Sequence, residues 1–177
     1  MSEQRRQTTQ AWFERQFPFP VSAHILPDVL ARLASAPDRA AAALRGQPRE
    51  RLLAKSDGKW SAQEHAGHLL DLEPLWLARV EDYLTMKDQL TPADLTNQKT
   101  HLANHNQQPL ESILTRFQTA RRELLQRANL PEPLFTARAI LHPRLGVSLR
   151  LIDHLYFVAE HDDHHLAAIA SLLALPR

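Results

Sequence analysis

Four stretches of this chain return apolar residues at intervals of three and four, and proline, glycine or a polar run bounds each stretch. That period belongs to a helix with one buried face, so the chain is predicted to be all-α. The first stretch, about residues 24–46, carries Ile25, Val29, Leu30, Leu33 and Leu44 on one side, with Gly46 and Pro48 at its end. Pro37 is expected to break or kink it. The second, about 62–85, opens with Ser61 and, three residues on, Glu64, the spacing of a capping box, with Trp60 placed to start a hydrophobic staple. Pro74 lies inside it and removes the hydrogen bond to the Leu70 carbonyl, which predicts a kink. The third, about 110–129, spaces Leu110, Ile113, Leu114, Phe117, Leu124 and Leu125, and the fourth runs from about 148 to 174. No stretch alternates as a half-buried strand does, and only four glycines occur. The expectation is a four-helix bundle with long connections, notably 90–109 and 131–146. Connections of that length exceed what a simple up-down bundle needs and are often functional.

At 177 residues the chain suits one domain with a real core. We read residues 1–21 as a polar tail followed by an aromatic strap, "WFERQFPFP", and residues 22–177 as the bundle. The strap is expected to pack on the domain; a surface for a partner or ligand is the sharper alternative. A net charge of +1, with Arg–Arg pairs only at 5–6 and 121–122, gives no electrostatic case for nucleic acid. No apolar run reaches the length of a membrane span, and the polar start "MSEQRRQTTQ" lacks the apolar segment of a signal peptide. A cytoplasmic protein is therefore expected.

Cysteine is absent, which leaves histidine, aspartate and glutamate as metal ligands, and histidine occurs ten times. The fourth helix contains "AEHDDHHLAAI" (159–169). With about 100° per residue, Leu151, Leu155, Val158, Ile169 and Leu173 form its buried stripe. His161 and His165, four apart, lie along one edge of that stripe on the side of His154, while His164 points away. Two imidazoles so spaced can reach one metal ion. Asp162 falls near the middle of the stripe, where an unpaired carboxylate is costly, so it requires a buried partner. Asp153, Glu160 and Asp163 fall toward solvent. One helix cannot complete a site, and the second helix offers His68, beside Leu72 and Leu75, or His65, the staple position opposite Trp60. His101 and His105 form another pair four apart, in a polar connection. A bundle whose histidines pack without metal is also compatible with this pattern.

"KWSAQEHAGHLLDLE" (59–73), followed far downstream by "AEHDDHHLAAI", resembles the DinB-like superfamily of DNA-damage-inducible four-helix-bundle proteins, including its YfiT-like metal-dependent hydrolases. The resemblance spans about residues 22–175. It implies a divalent metal held by His68, His161 and His165, zinc or nickel first and manganese or iron next, with positions open to water and substrate. Relatives include thiol transferases that use low-molecular-weight thiols, isomerases, and many without a known reaction. The implied function is a metal-dependent enzyme acting on a small molecule, as hydrolase or thiol transferase. The alternative is a non-enzymatic metal-binding or stress-associated interaction protein, with a homodimer formed through the strap and exposed alanines. "ANHNQQP" (103–109) and "LHPRLG" (141–146) resemble loops of one branch, making His105 and Arg144 candidates for substrate contact, Arg144 as an anion binder. Asp162 is the candidate base, since "HDDHH" resembles His-Glu-x-x-His with a shorter acid. Peptidase activity is not expected, because aspartate reaches less far and a bundle has no strand edge to hold an extended substrate.

Overall fold

A computed structural model describes residues 12–55 and 59–174. The expected polar tail at 1–10 and the "SDG" turn at 56–58 lie outside the described residues. Four long helices, α1 (Leu26–Leu44), α3 (Ala62–Leu84), α5 (Leu110–Arg127) and α6 (Leu151–Ala174), form the bundle. Two five-residue helices, α2 (Arg49–Leu53) and α4 (Gln98–Leu102), sit in the connections, where sequence periodicity gave no sign of them. Each of α1 and α3 packs against both α5 and α6, so consecutive long helices α1 and α3 stand diagonally. A diagonal crossing cannot be made by a tight turn, which accounts for the length of the connection from α1 to α3, whereas the still longer one after Leu84 joins the packed neighbours α3 and α5.

α3 starts as its sequence demands. The Ser61 hydroxyl accepts from the Glu64 amide at 3.1 Å, and the Glu64 carboxylate accepts from the Ser61 amide at 2.9 Å. Both internal prolines are carried inside unbroken helices. Of the break or kink expected at Pro37, the break does not occur, and Arg121 supplies a reason. The proline leaves the Leu33 carbonyl without its helical donor, and Arg121 Nη1 donates to that oxygen at 2.9 Å.

The expectation of helices alone needs one correction. Residues Ala139–His142 (β1) and Val147–Arg150 (β2) form an antiparallel hairpin, which shortens the fourth helix to begin at Leu151. Gly146, at φ +67°, makes the turn. Four-residue strands carry too few positions for alternation to stand out, although Ile140 and His142 do point inward. The strap lies along α6: Trp12 and Phe17 each place their rings 5.1 Å from that of Phe157.

The core falls into two apolar clusters. One contains Val29, Leu33, Trp76, Val80, Leu124, Leu155 and Val158; the other contains Ala36, Ala40, Leu69, Phe117 and Ile169. Between them, every long helix but α1 contributes buried polar residues: Asp71 and Glu73, Arg121, and His161, Asp162 and His165. Three acids expected in solvent are engaged instead. Asp153 is buried, accepting from the Val21 and Arg150 amides, and so pins the strap to the start of α6. Glu160 and Asp163 are drawn inward by Arg15, Arg32 and Arg39.

Candidate metal centre

α3 and α6 pack side by side, and His68 thereby meets His161 and His165. His161 Nε2 stands 3.3 Å from His68 Nε2 and 3.1 Å from His165 Nε2. One ligand atom from each of the three rings lies within 4.8 Å of the others, and all three residues are buried. Two nitrogens that each bind zinc at about 2.0–2.1 Å with a tetrahedral angle stand roughly 3.3 Å apart. The observed spacing fits that requirement.

Proton placement supports the same reading. Thr100 Oγ1 donates to Asp71 Oδ2 at 3.0 Å, so its oxygen is left to accept from His68 Nδ1, 3.0 Å away. That contact puts the His68 proton on Nδ1 and leaves a bare lone pair on Nε2. Asp71 is held in turn by His105 Nε2 at 2.7 Å. Burial pushes the Asp71 carboxyl up, but the bonds from His105 and Thr100 and the charge of Lys99 outweigh it and keep it below the usual carboxylate range. On the other flank, His165 Nδ1 and His65 Nδ1 share a hydrogen bond of 2.8 Å. A neutral imidazole has one proton; that of His68 is directed outward, and that of His165 is too when His65 accepts, which leaves the inner nitrogens of both rings with lone pairs toward His161. A divalent cation satisfies such a set. Burial pulls His68 down to about 3 and holds His161 and His165 well below the usual imidazole range, so all three are neutral, ligand-competent bases near pH 7.

The three rings open onto a cavity of about 280 Å³ walled by Trp12, Trp60, Trp76 and Phe157, with Arg79 and Arg144 also at its surface. A larger groove of about 850 Å³ between α1 and α5 is lined by none of the three histidines. Arg144, expected as an anion binder, sits in the hairpin turn and reaches this cavity. His164, expected in solvent, is half-buried against Trp12 and also lines the wall.

Two expected site residues sit elsewhere. His105 is buried behind His68 and off the cavity wall, because its ring is packed onto α3 at Gly67. A Cβ at Gly67 would lie 2.2 Å from His105 Cγ, which accounts for the glycine in "AGH". Asp162 projects to the other side of α6, where Arg121 Nη1 donates to it at 2.6 Å. That guanidinium is the buried partner its position required, and the pairing turns the carboxylate away from the cavity. Of the remaining histidines, His65 supports His165, His101 is exposed beside Trp60, and His154 is buried against Trp76 and Tyr83.

A family model, the DinB superfamily, matches residues 32–169, a segment containing all three converging histidines. This chain belongs to the DinB superfamily. The fold agrees with that of another DinB-like protein, YfiT from Bacillus subtilis, at a TM-score of 0.75 and 20% identity, over 90% of this chain and 91% of that one. YfiT is described as a probable metal-dependent hydrolase with an unusual four-helix bundle topology. No curated protein sequence matches the chain significantly. For this DinB-superfamily chain, sequence reasoning overlooked Thr100 and Asp71. Asp71 could have been found: it lies one turn after His68 on an inward face, and a buried acid requires a partner just as Asp162 does.

Proposed function

We propose that this protein is a divalent-metal-dependent enzyme acting on a small molecule held in the aromatic-walled cavity, by hydrolysis or by transfer of a low-molecular-weight thiol. The observation that carries this reading is the convergence of His68, His161 and His165, with His68 held in the ligand tautomer by Thr100 and Asp71. The description of YfiT as a probable metal-dependent hydrolase is in keeping with it. Zinc or nickel suits the three imidazoles best, with manganese or iron as further candidates. Bound there, such an ion would supply Lewis acidity toward a water or a thiol. The rings of Trp12, Trp60 and Trp76 would exclude bulk water from that end of the cavity. Among the described residues, the wall carries one carboxylate, the exposed Asp94, whose oxygens are engaged by Thr96 and Gln98. Thiol transfer needs no protein base and therefore suits this wall better than hydrolysis. A purely structural metal is the weaker reading, because structural sites are closed whereas these ligands border a cavity.

Metal analysis tests the assignment. Purified protein reloaded with zinc or nickel is expected to hold one equivalent, and the His68→Ala and His161→Ala variants less than a tenth of that. Full occupancy in both variants would overturn the ligand set.

A further inference from the structure

The cavity has a second chemical end. Arg79 is 1% exposed, and no carboxylate among the described residues pairs with it or with Arg144. Arg79 Nε donates to the Thr91 carbonyl at 2.8 Å, and its Nη1 faces His142 Nε2 at 3.0 Å. Arg144 is surrounded by the rings of Phe13, Phe157 and Trp12, 5.3–6.0 Å from its guanidinium carbon. Rings attract a cation but offer no lone pair to its N–H groups. Arg144 Nη2 and Trp76 Nε1 are both buried without an acceptor among the described residues. His142 faces two donors, Arg79 Nη1 and the Leu145 amide, yet a neutral imidazole can accept at only one nitrogen.

This end of the wall therefore holds a surplus of buried donors and two cations, and its acceptors are spent. Burial pulls both guanidinium groups below their usual range, Arg79 to about 10, where Tyr83 and Asp82 offset part of the cost and the charge of Arg144 adds to it. Buried charges of this kind are ordinarily compensated.

The geometry points to an anion-binding subsite formed by Arg79, Arg144 and the Trp76 indole N–H, which receives the carboxylate of a small, otherwise apolar acid. A guanidinium fork matches a carboxylate in two-point contact. The remaining wall, Leu72, Leu75 and Phe157, suits an apolar body. The volume, that of about nine waters at ~30 Å³ each, admits one ring or a short branched chain. The inference rests on the reading of this cavity as the substrate site: it orients the acid by its carboxylate and leaves the apolar body toward the three histidines.

Phenylacetate and its uncharged counterpart phenylacetamide are suitable probes, because three cavity tryptophans report binding by fluorescence. Titrations on chelator-stripped and on zinc-loaded protein are expected to show phenylacetate binding at least tenfold more tightly than the amide in both. Arg144→Gln, which keeps a polar side chain of similar length in the hairpin turn, is expected to remove that preference while zinc content stays at one equivalent. Equal binding of acid and amide, or no binding of either, would overturn the subsite. So would a preference seen only with zinc and unchanged by Arg144→Gln, which would put the carboxylate on the metal. A preference retained by protein that fails to take up zinc on reloading would instead defeat the metal assignment and leave the subsite standing.

Discussion

His161 and Asp162 are neighbours on α6, equally buried, and they face two different kinds of polar cluster. Asp162 joins Glu73 around Arg121, which donates to both carboxylates and to the Leu33 carbonyl. That cluster ties α1, α3, α5 and α6 together at one level of the bundle and opens onto no part of the histidine cavity. His161 joins His68 and His165, whose inner nitrogens face each other at the spacing a shared divalent ion sets, next to a cavity. Burial alone therefore does not separate structural from functional polar residues. What separates these two clusters is that the carboxylates already have their cation in the chain, whereas the three imidazoles converge beside a cavity without one.

The sharpest way to break this contrast is to remove Arg121. Two carboxylates would be stranded, with burial already pushing the Glu73 carboxyl up to about 7 and the Asp162 carboxyl up as well. Arg121→Met should destabilise the protein by about 3–5 kcal/mol, as expected for an uncompensated buried charge. Replacing Glu73 and Asp162 with leucine in the same chain should recover most of that loss, since an apolar cluster of similar volume is often as stable. Urea unfolding of the single and triple variants measures both. An Arg121→Met protein as stable as the parent would remove the claim that this cluster is structural.

The bundle and its inward histidine pair were legible because helical periodicity and burial have the same period. His161 and His165 lie where a 100° rotation places them, and Ser61 and Glu64 announce α3 by local chemistry alone. The missing parts depend on contacts between distant segments. Thr100 and Asp71 are 29 residues apart, and nothing local to either predicts the bond to the other. Asp162 was rightly expected to need a buried partner, but a wheel drawn for one helix could not show that Arg121 lies across from it. It could not show either that this partner draws the acid away from the histidines. The hairpin was hidden by its brevity, and with it the return of Arg144 over the cavity.

A smaller change sharpens the histidine side. Thr100→Val keeps the shape of the side chain but removes the oxygen that accepts from His68 Nδ1 and donates to Asp71. Loss of such a supporting hydrogen bond typically costs roughly 10–100-fold in metal affinity. A competitive zinc titration should show a fall of that size with the unfolding midpoint of the stripped protein little changed. Unaltered affinity would mean that packing against Trp60, 4.5 Å away between ring centres, orients His68 without the relay.

The smallest effect concerns His154, which is buried as deeply as the three converging histidines but has no partner among the described residues for either ring nitrogen. Burial, with the nearby charge of Arg79, holds it well below the usual imidazole value of 6.5 in the folded protein. In the unfolded chain it titrates normally. Above pH 6.5 both states leave it neutral, and its contribution does not vary. As pH falls below 6.5 the unfolded chain takes up a proton that the folded one refuses, so stability is lost at up to ~1.4 kcal/mol per pH unit. His154→Leu removes that proton and should flatten the acid limb of the stability curve by this slope between about pH 6 and pH 5. At pH 8 the variant should match or exceed the parent, because no hydrogen bond is broken. Its metal content should be unchanged, in contrast to His161→Ala one helix segment away. An unchanged acid slope would mean that His154 is protonated in the folded protein, and a loss of metal would place it within the site.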